Sequence, residues 1–263
     1  MTIFGNISGF GLIGGTLVLG VAIAMANVPL HALFRPEALL IVIGGTLMAV
    51  CASFPAKTLQ GTVRALFQKK DEPAADDRDL QAHIEELSAM AGFTRREGLM
   101  ALAPYVEQIS SPFLRKGLTL LVNDHSEATI CDTLQAELER NTREKAEEAR
   151  VLEVAGGFAP TMGIIGALIG LMSAVNLFED PAKLGEGVAG AFSATLYGVA
   201  LANMILLPLA NKLRERARRV HFQQTFLLQG VLSISAGEHP VLLNEKLNAM
   251  LTPAPANVLQ HTN

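Results

Sequence analysis

Inside the long apolar stretches of this chain, the side chains able to take part in chemistry are few and uncharged. Deep in the inner pair, 154–178 and 187–211, hydroxyls stand at Thr161, Ser173, Ser193, Thr195 and Tyr197, and two prolines, Pro160 and Pro208, interrupt the same stretches. Asp, Glu, Lys, Arg and His are absent from 3–27, 38–56, 154–178 and 187–211. Ionisable groups within a bilayer are the usual carriers of protons and the usual marks of an ion path. If this chain moves ions, another polypeptide must therefore supply the titrating group. An enzyme is not expected, because no nucleophile sits beside a base in these stretches. The six His never recur at ligand spacing with Cys or carboxylates, so no metal or other cofactor site is expected. Cys51 lies in an apolar stretch and Cys131 outside one, so they form no disulfide framework.

The elements that must position these residues follow from how charge is distributed. Of 263 residues, 50% are hydrophobic and only 17% charged, and the mean hydropathy is +0.33. A helix needs about 20 apolar residues to cross roughly 30 Å of hydrocarbon, and each of the four charge-free stretches is close to that length. The predicted fold is all-α: a polytopic membrane protein with transmembrane helices at 3–27, 38–56, 154–178 and 187–211. Ala24-Met25-Ala26 resembles a signal cleavage site, but no Lys or Arg precedes Phe10, so the first stretch is read as a span. Lys and Arg number 13 in 57–153 and six after Asn211, against single residues at Arg35 and Lys183 between spans. The positive-inside bias places the middle segment, the tail 212–263 and both termini in the cytoplasm.

The segment 57–153 is expected to form a cytoplasmic helical domain. Helices are predicted over 79–90, 95–109, 112–122 and 126–150, broken at Gly92, Gly98, Pro104 and Asn123-Asp124. Asp71 to Asp79 reads as a linker, and the tail as one short helix followed by disorder from Thr252. The basic cluster Lys212, Arg214, Arg216, Arg218 and Arg219 suits anionic headgroups. Nucleic acid is not an expected partner, since no basic stripe with aromatics is present.

The third and fourth stretches carry small residues in helical register. Ala159, Gly163, Gly166, Gly170 and Ala174 recur at three- and four-residue intervals, and Gly190, Ala194, Gly198 and Ala202 recur every four. Small residues let backbones approach closely where lipid removes the hydrophobic drive. The stripes serve packing within one bundle, around a partner helix, or between copies of the chain. Pro160 frees the carbonyl of Gly156, and Pro208 that of Met204. At 1.5 Å per residue they lie about 9 Å and about 5 Å from the cytoplasmic end, so two kinks share a similar depth.

Several runs together resemble a known family. They are Ala159 to Leu171 (APTMGIIGALIGL), Glu179 to Gly185 (EDPAKLG), Ala194 to Gly198 (ATLYG), Ala202 to Lys212 (ANMILLPLANK), Ile43 to Thr46, Arg95 to Leu102 and Leu120 to His125. In order and spacing, from residue 3 to 250, they are similar to the A subunit of the bacterial flagellar motor stator, the MotA/PomA family, with the Thr-Leu-Tyr-Gly stretch closest to PomA. The resemblance implies a bacterial inner-membrane subunit of a motility and chemotaxis machine. In the family, five A subunits surround two copies of a B-type subunit whose transmembrane helix carries an Asp. Ion flow through that Asp turns the ring against the rotor protein FliG.

Carried over by position, Pro160 and Pro208 match the prolines associated with ion flow and coupling, and Thr195 a hydroxyl lining the ion path. Sodium-driven members place Thr where this chain has Ala167 and Ala194. Sodium needs oxygens to replace its water, whereas a proton needs only the carboxylate and water, so the transported ion is expected to be a proton, with Thr195 the residue that speaks for sodium. By depth Thr195 is expected near Ala167. Arg95 matches the basic residue used against FliG, while the acidic residue expected eight positions later is Ala103. Glu97 and Glu107 are possible replacements, and Arg96 and Glu137 further contact candidates. Three alternatives stay open: a three-span energiser of the ExbB/TolQ type, a sodium-driven stator, and a membrane scaffold without transport.

Overall fold

The computed structural model describes residues 34–67, 77–176 and 181–251, with 14, 15, 17, 18, 20, 21 and 25 besides. The first expected span, 3–27, is thus largely outside the described residues, as are most of the linker at 71–79 and the tail from Thr252. Every regular element among the described residues is helical.

Helix α1, Pro36–Ser53, stops where Phe54 turns extended (φ −130°, ψ 147°) ahead of Pro55, because a residue before proline is pushed out of the helical region. Helix α2 then covers Ala56–Phe67 and α3 Asp77–Glu97. Gly98, at φ 87°, ends α3 in a conformation that only glycine takes without strain. Gly92, expected as a break, lies inside α3; a Cβ there would meet Pro240 at an ordinary 3.5 Å, and the packed helix runs on. After the short turns Leu99–Leu102 and Ala103–Val106 comes α4, Pro112–Val122. Ser111 caps α4 by accepting from the Leu114 amide at 3.4 Å, and Pro112 needs no amide donor at the first helical position. At its far end Asp124 takes φ 59°, with its amide bonded to Leu121 and that of His125 to Leu120, closing the helix where Asn123-Asp124 predicted a break.

Helix α5 runs from Glu127 to Val175 without interruption. Helix α6, Pro181–Ala200, passes through a π-helical turn, Leu201–Leu206, into α7, Leu207–Ser235, and α8 covers Pro240–Leu251. Among the described residues, three helical stretches are long and apolar enough to cross a membrane: Pro36–Ser53, Glu127–Val175 and Leu184–Ser235.

The chain divides into two compact units. One holds 1–69 and 146–214, the other 70–145 and 215–263, so α5 and α7 contribute residues to both. The core of the second unit is assembled from Leu80, Ile84 and Leu87 of α3, Leu114 and Leu118 of α4, Ile130 and Leu134 of α5, Leu227 and Val231 of α7, and Leu243 and Leu247 of α8. Spacings of three, four and seven put each set on one helical face. The segment 212–263, set apart in the sequence as a tail, therefore supplies α7 and α8 to the same core as 79–138.

Candidate functional site

In the first unit α5 and α6 meet along a seam of small residues. A Cβ placed on Gly163 would stand 2.9 Å from the Ala194 carbonyl oxygen and 3.3 Å from the Cα atoms of Thr195 and Gly198. One placed on Gly198 would stand 2.5 Å from the carbonyl oxygen of Ala159. Further along, Gly170 faces the backbone of Ala191, and Gly187 faces Ala174. Gly190, which spacing alone puts on the same stripe, meets nothing within 4 Å, and Gly187 and Ala191 take its place on the seam. Helix α1 packs across α5 through Gly45, whose Cβ would lie 2.8 Å from the Met162 sulfur, and through Ile41 beside Gly166.

The candidate ion-path residues fall on or beside this seam. Ala194 is buried, and its Cβ lies 3.0 Å from where one on Gly166 would be. Thr195 is half-buried with its Cα against Gly163. Ala167 is half-buried one residue beyond Gly166 and one helical turn from Gly163, on which the Thr195 backbone packs. Thr46, Thr161 and Ser193 donate to carbonyls of their own helices, whereas Thr195 makes no hydrogen bond among the described residues. The opposite side of α5 is bare: Ile164, Ile165, Leu168, Ile169 and Met172 are all exposed in the single chain.

The neighbourhoods of the two prolines meet through Gly156 and Leu207. Helix α5 continues through Pro160, whose ring leaves the Gly156 carbonyl without its helical donor. Gly156 in turn packs on Leu207, where a Cβ would stand 2.7 Å from Cδ2, and Leu207 directly precedes Pro208. The π-helical turn Leu201–Leu206 lies immediately ahead of Pro208. A widened turn there relieves the clash between the proline ring and the Met204 carbonyl. Within it Asn203 donates its side-chain amide to the Val199 carbonyl at 3.0 Å.

The candidate rotor contacts belong to the second unit. Arg95, at the end of α3, is exposed and donates to the Gly237 carbonyl at 2.6 Å, holding the left-handed glycine (φ 65°) that ends α7. Glu137 of α5 pairs with Lys116 of α4. Arg96, Glu97 and Glu107 are exposed and make no ion pair among the described residues. No hydrogen bond or ion pair joins Glu137 to Arg95, Arg96 or Glu97 among the described residues. Ala103 opens the turn Ala103–Val106, and Glu107 follows it by one helical turn on the same side. Nearby, Glu238 pairs with Lys246, and this bond, helped by Ser233, holds its carboxyl below the ordinary range despite the opposing effect of burial.

A family model described as the MotA/TolQ/ExbB proton channel family matches residues 105–224. Motility protein A of Bacillus subtilis (strain 168) is 34% identical over 251 residues, covering 93% of this chain and 89% of that protein. The chain belongs to the MotA/TolQ/ExbB proton channel family. Chemotaxis protein PomA of Vibrio alginolyticus is 31% identical over 254 residues, covering 95% of this chain and 94% of that one. The solved flagellar MotAB stator complex from Bacillus subtilis contains a chain that superposes with a TM-score of 0.83 at 33% identity, covering 93% of this chain and 95% of its own length. As a member of a proton channel family the chain is a multi-pass membrane protein and not an enzyme, and the α5–α6 seam lies wholly within the matched segment.

Two polar pairs were not singled out from the sequence. Glu153 of α5 pairs with Arg214 of α7; each lies just outside a charge-free stretch, and opposite charges flanking two antiparallel spans were the signal available. At Arg35, the backbone amide donates to the Tyr197 hydroxyl at 3.1 Å and the guanidinium to the Glu186 carbonyl at 3.3 Å. Nothing local in the sequence announces that pairing across 162 residues.

Proposed function

We propose that this chain is the A-type subunit of a flagellar motor stator, a four-span protein of the bacterial inner membrane with both termini in the cytoplasm. The observation that carries the reading is the seam. The α5 and α6 backbones close on each other through Gly163, Ala194 and Gly198, and the long apolar face of α5 stays uncovered, with no Asp, Glu, Lys, Arg or His in the described part of any expected span. Such a chain forms a wall. The titrating carboxylate comes from a B-type partner helix, and the cover for the bare face from that helix and further copies, five around two in the family the chain resembles. Its relatives are named motility protein A and chemotaxis protein PomA, and its structural neighbour is a MotAB stator complex.

A charged carboxylate in mid-membrane costs several kcal/mol, so its protonation changes how the partner helix sits against the seam. Pro160, four residues beyond Gly156, and Pro208, next to Leu207, are the positions where α5 and α7 yield to that change. Torque passes to a FliG-type rotor through exposed charges of the second unit. Arg96 and Glu97 make no ion pair there among the described residues, and Glu107 stands one turn from Ala103 in place of the missing acid. The ion is a proton: Ala167 and Ala194 present no side-chain oxygen, and Thr195 alone does not replace the water shell of sodium.

The test is a deletion strain complemented with this chain and its B-type partner. Swimming is restored, persists when sodium is removed at constant proton-motive force, and falls when the proton gradient is collapsed. Loss of swimming on sodium removal overturns the proton assignment. Conduction at full rate by this chain alone in pure lipid vesicles overturns the wall.

A further inference from the structure

Of the carboxamides in the charge-free stretches, Asn176 and Asn211 stand at stretch ends, whereas Asn203 stands inside, about 12 Å short of Asn211 at 1.5 Å per residue. It belongs to the π-helical turn Leu201–Leu206 and is exposed in the single chain. Its Nδ2 donates to the Val199 carbonyl, and its Oδ1 accepts nothing from the described residues. The main-chain carbonyl of Asn203 is open as well. Its α-helical donor, the Leu207 amide, reaches back to Ala202 instead, and its π-helical donor would be Pro208, which has no amide. Two acceptors are thus left at one residue inside a span, where hydrocarbon offers no donor. Phe192, Val199 and Asn203, seven and four residues apart and all exposed, share one side of α6 and the turn that follows it. Tyr197 instead bonds to Arg35 at the start of α1, and Ala194 and Gly198 pack on α5, so neither α1 nor α5 covers the side that carries Asn203.

We infer that Asn203 holds, through Oδ1 and its main-chain carbonyl, the water by which the travelling proton leaves the wall for the cytoplasm. The inference rests on the proton-driven stator reading proposed above. A carboxamide does not titrate, so both acceptors persist whatever the state of the partner's carboxyl. A water protonated at this position has three O–H bonds. Two are held by the acceptors, and the third breaks as its proton passes to the next water on the cytoplasmic side, which restores the first water and leaves the amide unchanged. Hydrogen bonds to an ionised group are stronger than those between neutral ones, so the pair favours the protonated water over the neutral one. The π-helical turn is then more than relief for the Pro208 ring: it turns the Leu207 amide away and opens the acceptor.

The full chain and its B-type partner are expressed in a stator-deletion strain, and swimming speed is followed as a weak acid lowers the cytoplasmic pH at constant proton-motive force. Asn203→Leu removes the amide at similar volume. Its speed is expected to fall about tenfold, the loss for one hydrogen bond to a charged species, and its half-inhibition to come at a higher cytoplasmic pH than in the parent. Asn203→Ser, which retains an oxygen, recovers part of the speed and moves the pH profile back towards the parent. Water access is read separately. Cys51→Ser with Cys131→Ser leaves the chain without cysteine, and Asn203→Cys in that background is expected to react with a hydrophilic methanethiosulfonate in the assembled complex, faster than Met48→Cys at an exposed position of α1. Parental speed in Asn203→Leu, or lowered speed with the parental pH profile, overturns the inference and leaves the stator reading standing. So does an Asn203→Cys that reacts no faster than Met48→Cys, and this result decides where Asn203→Leu does not accumulate in the membrane. A parent chain that restores no swimming with its partner overturns the stator reading and this inference with it.

Discussion

Gly198 of α6 lies so close to Ala159 of α5 that a Cβ on the glycine would stand 2.5 Å from the alanine carbonyl oxygen and 3.1 Å from the Gly163 Cα. All of these are backbone atoms, which cannot swing aside as a long side chain can. Gly198→Ala must therefore push the two helices apart, at a cost of about 1–3 kcal/mol for overpacking. Gly190→Ala, eight residues away on the same four-residue repeat but with nothing within 4 Å, is near neutral in the single chain. Thermal unfolding of the two purified variants in detergent separates them; equal melting temperatures mean that the seam is not close-packed.

The contrast between Gly190 and Gly198 also marks how far sequence reaches. Charge-free stretches of the right length reveal membrane-crossing helices because the bilayer tolerates little else, and a four-residue repeat of small residues reveals that a helix has a packing face. Which of the two possible registers touches the neighbour depends on how the helices cross, and Gly187 and Ala191 rather than Gly190 turn out to meet α5. The breaks at Gly98 and Asn123-Asp124 were legible because left-handed backbone is a local demand. Gly92 was not, because Pro240, distant in sequence, packs on the helix there. The partnership of Arg95 with a carbonyl 142 residues on, and of α7 and α8 with the core of 79–138, are long-range facts with no local sign.

The prolines give a prediction in which stability and function move oppositely. Pro160→Ala restores the amide that the Gly156 carbonyl lacks, and Pro208→Ala the one that Met204 lacks, so each variant gains up to about 3 kcal/mol of helix stability. With the yielding point removed, swimming speed falls while membrane levels and partner binding stay at those of the parent. Speed measured by tracking, against quantified membrane protein, checks this, and unchanged speed in both variants removes Pro160 and Pro208 from the mechanism.

Arg95 and Arg96 are neighbours with different employment. The Arg95 guanidinium holds the Gly237 carbonyl at 2.6 Å, whereas Arg96 is exposed and makes no ion pair among the described residues. Arg95→Ala is therefore expected to lower thermal stability by about 1 kcal/mol, the usual net worth of a hydrogen bond to a charged or neutral partner, and Arg96→Ala by none. Motor torque in a tethered-cell assay responds to Arg96→Glu without any change in melting temperature. A fall in torque for Arg95→Ala that tracks its loss of stability identifies a positioning role for Arg95, and a fall with stability intact identifies direct rotor contact.

Glu238 supplies a pH test of the turn between α7 and α8. Its carboxyl is held below the ordinary value near 4.5 chiefly by the bond from Lys246, with Ser233 assisting and burial opposing. A carboxyl whose folded value is depressed binds its proton less readily in the folded chain than in the unfolded one. It therefore contributes stability that is fully present above the unfolded value and is lost as pH falls through the folded one. Glu238→Gln should accordingly melt below the parent at pH 7, and the gap should close as pH falls past the ordinary carboxylate value and through the depressed folded one, which together set the window. Lys246→Met removes the largest cause of the depression and should show the same closing gap. A difference that stays constant from pH 7 down through that window assigns the effect of Glu238→Gln to packing at the turn rather than to its charge.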